Sequence, residues 1–188
     1  MHRNDIFVTG ASGLLGSNVC RLAVGQGRRV KGLVRNEADA DVLRALGAEP
    51  VVGDITSATS MIAGMARADC VVHCAAVIGG TWSTATSEQF ERVNYGGSVN
   101  VLDCARDAGV GRTVLISSLV VFDPERTVTE KSGMLPLSVR TSPYARTKLA
   151  AYYEGMRRAC GGEDVLFVMP GAIYGQSPFV DRSSREST

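Results

Sequence analysis

A chain of 188 residues with 45% hydrophobic content is long enough for one well-buried domain. Lys plus Arg number 20 and Asp plus Glu 19, a formal net charge of +1, so no broad field recommends nucleic acid or a charged membrane surface as partner. No apolar run approaches the length of a membrane span, and Met1 to Asp5 lead into a strand without a signal-type apolar stretch, so the expected location is cytoplasmic.

Ile6-Phe7-Val8-Thr9 is β-branched and aromatic, and Leu14 to Ala23 is mostly apolar with helical spacing, which predicts a strand over 6–9 and a helix over 14–25. Between them lies Thr9-Gly10-Ala11-Ser12-Gly13-Leu14-Leu15-Gly16, placed where a strand turns into a helix. Gly10 there permits a tight turn, Gly13 lets a pyrophosphate reach backbone N–H groups, and Gly16 lets the helix pack closely on the strand. The 10, 13, 16 spacing departs by one residue from the general dinucleotide fingerprint, so taken alone an ordinary turn explains it equally well.

Further strands are predicted over 30–34, 50–53, 70–75, 113–117 and 164–169, and further helices over 38–46, 59–66, 88–108 and 143–159. Continuous apolar runs such as Thr113 to Ile116 suit strands covered on both faces, and right-handed crossovers then give an α/β, doubly wound parallel sheet. Gly10, Asp54, Ala75, Ser118 and Pro170 each follow or end a strand, so all five gather on one sheet edge, where open α/β sheets bind ligands. Residues 123–142 form the longest loop and lead into the last helix. One domain is expected over 1–178, with 179–188 a polar, frayed tail.

Ser142-Pro143 reads as an N-cap followed by an N1 proline, and Tyr144 and Lys148, four apart, then share one helix face. A phenol with a reference pKa of about 10 is a poor base at neutral pH, but an ammonium roughly 5 Å away would lower it by about two units. Seen alone, such a pair more often decorates an ordinary surface helix. The five cysteines are scattered and read as buried free thiols. Cys70, His73 and Cys74 cluster in sequence, but alternation along a strand sends them to two faces, so no metal is expected.

At this point the chain resembles the short-chain dehydrogenase/reductases, in particular their extended branch of epimerases, dehydratases and ketone reductases. The resemblance runs from Ile6 to about Gly175 and rests on the glycine segment, Gly53-Asp54-Ile55, His73-Cys74-Ala75-Ala76, Val93-Asn94-Tyr95-Gly96-Gly97, Ile116-Ser117-Ser118, Tyr144 to Lys148, and Pro170-Gly171-Ala172-Ile173-Tyr174-Gly175. It implies a Rossmann fold and a nicotinamide cofactor. Catalysis would fall to Ser118, bonding the substrate oxygen, to Tyr144 as acid/base, to Lys148, lowering the tyrosine pKa and holding the nicotinamide ribose, and to Asn94, supporting a water beside the lysine. Ser117 is the neighbouring candidate for the serine role. The cofactor would lie along Gly10, Ser12, Gly13, Leu14, Leu15 and Gly16, then Arg35, Asp54, Ile55, Cys74, Ala75 and Ala76, and finally Ser117, Tyr144, Lys148, Pro170, Gly171, Ala172 and Ile173. Arg35 would accept a 2′-phosphate, which prefers NADP, while Glu37 two residues on keeps NAD open. Asp54 reads either as an adenine neighbour or as a plain turn aspartate.

The implied substrate is a small ketone, alcohol or nucleotide sugar. Leu119-Val120 after Ser118 count against dehydration, and Arg35 leans away from the NAD-bound epimerases, so a ketone reductase leads and a sugar epimerase follows. Met169 and Phe122-Asp123 depart from the family pattern. Extended members continue past the Pro-Gly segment, so a C-terminally truncated member is expected, one that holds cofactor but turns over slowly. A cofactor-binding sensor or scaffold is the reading from another class. Phe90, Val93, Val101, Leu102, Leu149, Tyr152, Tyr153 and Met156 either pair helices into a homodimer or pack on the chain's own sheet.

Overall fold

The computed structural model describes residues 5–79, 83–129, 131–138 and 142–179. Six parallel strands alternate with helices, β1 (Asp5–Thr9), β2 (Arg29–Val34), β3 (Glu49–Val52), β4 (Cys70–His73), β5 (Arg112–Ile116) and β6 (Val165–Val168), in the sheet order β3-β2-β1-β4-β5-β6. The order reverses between β1 and β4, and the crevice for a ligand opens there, outside the carboxyl ends of the strands.

Pleating divides the apolar residues between two layers. Val8 and Val34 face α1 (Leu14–Gly25) and α2 (Glu37–Ala45) in a core with Cys20, Leu43 and Ala48. Their neighbours Phe7 and Leu33 face the other way, onto Met61 and Met65 of α3 (Ala58–Met65) and Val101 and Cys104 of α5 (Gly97–Asp107). The long α6 (Pro143–Cys160) continues this second layer, where Leu115, Val165 and Phe167 meet Leu102 and Ala159. By register Leu166 and Val168 of β6 lie opposite Val114 and Ile116, on the face that α1 and α2 cover elsewhere. Both are nearly half exposed, at 45% and 47%. No described helix is long and apolar enough to cross a membrane.

The predicted helix over 88–108 is in three pieces: α4 (Ser87–Phe90), a π-helical stretch Glu91–Gly96, and α5. Thr86 and Gln89 close a reciprocal capping box at its start. The widened turns have a tertiary cause, since the Asn94 amide accepts from Val77 N at 2.8 Å and donates to Val77 O at 3.0 Å. Strand β4, expected to reach Ala75, stops at His73 because Ala75 N turns to donate to the Thr9 hydroxyl. The expected tail boundary also moves. Phe179 is only 6% exposed and packs into the Val8 core, and the remaining tail, 180–188, lies outside the described residues. Phe90, Val101, Leu102 and Leu149, weighed above as dimer contacts, are buried within this fold. Among the free cysteines Cys20 and Cys104 are buried, whereas Cys160 is exposed at the end of α6.

Arg158 binds α6 to its neighbours through charge. Its side chain is 4% exposed, its Nε donates to Glu154 at 2.8 Å, and its Nη1 lies 2.9 Å from Asp103 of α5, in ion-pair range but out of line for a hydrogen bond. Hydrogen bonds from Arg157 lead in holding the Glu154 carboxyl down from its ordinary 4.5 to about 2; burial opposes them and Arg158 adds to them. A carboxyl depressed in the folded state stabilises the fold above its unfolded pKa and loses that contribution as pH falls through the folded one, here from 4.5 towards 2. Glu154→Gln is therefore expected to show a shallower fall of Tm across that acid window than the wild type in pH-resolved thermal melts; equal slopes would remove Glu154 from the stabilising cluster.

Candidate functional site

The glycine turn is built by contacts that leave no room for a methyl group. Gly10 adopts φ +64°, and a Cβ there would fall 2.7 Å from Ala75 N; one on Gly16 would fall 2.7 Å from the carbonyl carbon of Gly10. Gly13 N donates to Gly10 O at 3.0 Å, and Gly13 then serves as N-cap of α1. No side chain caps this terminus, and no acidic residue stands in its first turn. Ser12, Leu14 and Leu15 thus border a helix start whose positive dipole end faces the crevice uncompensated, a fit for a diphosphate.

At the ends of β2 and β3, Arg35 is exposed, and Asp54 Oδ1 accepts from both Thr56 N and Thr56 Oγ1 at 2.8 Å. Burial alone would raise the Asp54 carboxyl, but the Thr56 bonds and the charges of Arg35 and Arg92 outweigh it and hold it below the usual range. Arg92, on the π-helical stretch, escaped the sequence reading because nothing local ties it to β3. Glu37 accepts from Arg44 of its own helix at 3.4 Å. Ile55 is a core residue whose carbonyl accepts from Asn100, and Cys74 packs beside the Val8 core with its thiol pushed up to about 12 by burial. Ala75 and Ala76 follow, half-buried.

The acid/base end is assembled by α6. Ser142 accepts from Ala145 N at 3.2 Å and Pro143 takes the first turn, as the sequence indicates. The Tyr144 ring lies edge-on to Phe90, centroids 6.0 Å apart, and against Gly79, where a Cβ would fall 2.6 Å from that of Tyr144. Ser118 caps a short 3-10 turn, Leu119–Val121, with its hydroxyl beside the phenol. Lys148 is 7% exposed and donates to Ile116 O at 3.0 Å. Burial lowers its amine from 10.5 to about 8. The expected effect on Tyr144 is reversed: burial raises the phenol, with only Ser118 pulling downward, because the lysine amine is turned onto the β5 carbonyl.

His73, read above only as an unlikely ligand, is a structural hub. Its Nδ1 is 2.7 Å from the Thr9 hydroxyl and its Nε2 3.0 Å from Ser98 Oγ, which donates to Asn94 O at 2.6 Å. Because the Ser98 proton goes to Asn94, His73 must donate from Nε2 and accept at Nδ1. Burial holds the ring neutral, with its pKa near 3. Asn94 therefore has its amide on Val77 and its carbonyl on Ser98, and Ser117, named above as a cofactor contact and as the alternative for the serine role, has its hydroxyl buried behind Lys148.

After β6, Pro170 O accepts from Leu119 N at 3.0 Å, and the exposed run Gly171, Ala172, Ile173 continues along the rim. The run ends on α1, where Asn18 donates to Gln176 O at 2.8 Å and the Ser17 and Ser177 hydroxyls meet at 3.2 Å. Nothing in the local sequence of Ser17 or Ser177 announces this latch.

Residues 6–186 match the model of the NAD dependent epimerase/dehydratase family. The 4-hydroxy-2-methyl-3-oxo-4-farnesyl-3,4-dihydroquinoline-1-oxide ketoreductase of Stigmatella aurantiaca is 35% identical over 170 residues, 90% of this chain and 50% of that protein. A short-chain dehydrogenase/reductase superfamily protein from Agrobacterium tumefaciens, solved with bound NAD, is 29% identical with a TM-score of 0.70, covering 87% of this chain and 48% of that one. The UDP-glucose-4-epimerase of Stenotrophomonas maltophila, solved with NAD and formylated UDP-arabinopyranose, is 27% identical with a TM-score of 0.74, covering 88% and 51%. The chain spans about half the length of these relatives.

A buried amine with a lowered pKa costs stability while it stays charged, and the fold gains as pH rises through the window from about 8 to the ordinary 10.5. Lys148→Met is accordingly expected to unfold at higher denaturant than the wild type at pH 7, by about 1–3 kcal/mol, and to lack the alkaline gain. A less stable variant would mean that the bond to Ile116 O outweighs the burial of charge.

Proposed function

This chain belongs to the NAD dependent epimerase/dehydratase family, and we propose that within it the protein is an oxidoreductase acting at a ketone or secondary alcohol, with Tyr144 as its acid/base. The observation that carries the reading is the packing of one phenol: Tyr144 is wedged between Gly79 and Phe90, beside the Ser118 hydroxyl, on the sheet edge that also bears the uncapped start of α1. A nicotinamide dinucleotide fits the methyl-free cradle at Gly10 and Gly16. When bound, it supplies or accepts the hydride.

In this reading Gly10, Ser12, Gly13, Leu14, Leu15 and Gly16 hold the diphosphate, Asp54, Ile55, Cys74, Ala75 and Ala76 border the adenosine half, and Pro170, Gly171, Ala172 and Ile173 flank the nicotinamide half. Ser118 donates to the substrate oxygen and fixes its distance from the phenol. Tyr144, a phenol that burial makes still less acidic, gives its proton to that oxygen during reduction and, as the phenolate, takes one back during oxidation. The amine of Lys148 holds the ribose. The substrate class is a small ketone, its alcohol, or a nucleotide sugar. The similarity to the Stigmatella aurantiaca ketoreductase supports the first two, and the apolar pair Leu119-Val120 beside Ser118 speaks against a dehydratase.

NADP is the preferred cofactor. Arg35 lies exposed at the end of β2 within reach of Asp54, Arg92 adds a second cation to the same field, and Glu37 is drawn onto Arg44, all of which favour a 2′-phosphate.

Two measurements test these assignments. Tyr144→Phe is expected to bind NADPH within twofold of the wild type by fluorescence titration while losing at least about 100-fold in turnover across a panel of ketones; equal binding with no turnover in either protein would point to a cofactor-binding sensor instead, and equal measurable turnover would take Tyr144 out of the acid/base role. NADPH is expected to bind at least about tenfold more tightly than NADH, with Arg35→Ala removing most of that preference. A ratio unaffected by the substitution would take Arg35 out of the cofactor site.

A further inference from the structure

We infer that the narrow chamber behind Lys148 is a binding site for a single internal water, held between the Ser117 hydroxyl and the lysine amine. Ser117 is 8% exposed, yet its hydroxyl finds no hydrogen-bond partner among the described residues. It borders a chamber of about 10 Å³ walled by His73, Ser98, Ile116, Lys148 and Tyr152. A space of that size admits about one water, provided that two to four polar groups converge on it.

The polar inventory meets that condition, and neither His73 nor Ser98 has a proton left to give. Lys148 Nζ gives one proton to Ile116 O and keeps two, and the Ser117 hydroxyl keeps both its donor and its acceptor capacity. His73 is engaged at both nitrogens, by Thr9 and Ser98, and Ser98 has its proton on Asn94 O. A water in the chamber therefore accepts from the ammonium and bonds the serine. A buried hydroxyl left unpaired forfeits the hydrogen bonds it makes in water, and one ordered water restores them at a small entropic cost.

Ser117 thereby becomes a positioning residue. The water it anchors gives the ammonium a second acceptor besides Ile116 O, so the lysine head is fixed from the sheet side. This site differs from the Asn94-supported water implied by the family resemblance, because the side-chain amide of Asn94 is bound to Val77 and its carbonyl to Ser98. The titratable groups that face the lysine are His73 and Cys74 at the end of β4 and Tyr152 on α6 itself. The inference stands apart from the proposed reaction, since a water can occupy the chamber whether or not the protein turns over a substrate.

A crystal structure of the cofactor-free wild type at about 1.5 Å or better tests it directly. One ordered water within hydrogen-bond reach of both Ser117 Oγ and Lys148 Nζ is expected, about 2.7–3.2 Å from each. The second readout is the NMR titration of the Lys148 side chain in the wild type and in Ser117→Val, whose added bulk displaces the water. Losing an acceptor disfavours the charged amine, so the variant is expected to bind the proton at least threefold more weakly. The inference is overturned if the wild-type chamber is dry with Ser117 turned onto a main-chain carbonyl, or if both proteins titrate alike. The wild-type density decides the matter even if Ser117→Val fails to fold.

Discussion

The backbone of Gly10 lies against that of Ala75 too closely for a single added carbon, and much of the functional edge is arranged by that contact. It draws the turn after β1 onto the turn after β4, which sets where α1 begins. It also brings Ala75 N to the Thr9 hydroxyl, the first member of a hydrogen-bonded series running through His73 and Ser98 to the carbonyl of Asn94. A neutral, fully partnered histidine transmits no charge along this series. What it contributes is rigidity, since every polar atom in it has one assignment and a shift at either end would leave a buried group unpaired.

A tension between stability and chemistry runs through the acid/base end. Lys148 is an ammonium in a place that favours a neutral group, and Tyr144 is a phenol made less acidic by its surroundings. The charged lysine is not a state that a fold optimised for stability alone would select, whereas the neutral phenol suits its burial. A bound dinucleotide would change both, by offering ribose hydroxyls as acceptors to the amine and by excluding water from the phenol. The protein so arranged is poised to respond electrostatically to what enters the crevice.

Much of the architecture was legible because its causes are local. The runs at Phe7-Val8 and Thr113 to Ile116 announce strands buried on both faces, and Ser142-Pro143 marks the start of α6 to the residue. The glycine turn declares itself by spacing and context together. The rest depends on distant partners. The π-helical widening at Asn94 answers to Val77, seventeen positions away, so no helical periodicity records it. Spacing puts Tyr144 and Lys148 on one face but does not say that the amine bends to Ile116 O, and so the downward shift that spacing suggests for the tyrosine gives way to an upward one. Ser117 and Ser118 are the same residue in sequence terms; only the pleat at the end of β5 sends one hydroxyl inward and the other towards the phenol. Phe179, in a run that otherwise reads as polar tail, owes its place to the Ser17–Ser177 latch.

The outer strand carries a consequence of another kind. Leu166 and Val168 lie nearly half exposed on β6, and the backbone of that strand is paired on one side only among the described residues. A margin of that sort is adhesive: its N–H and C=O groups can template another strand, and its side chains reward whatever shields them. A lysine introduced at either position would interrupt such pairing, because its charge resists burial between two strands.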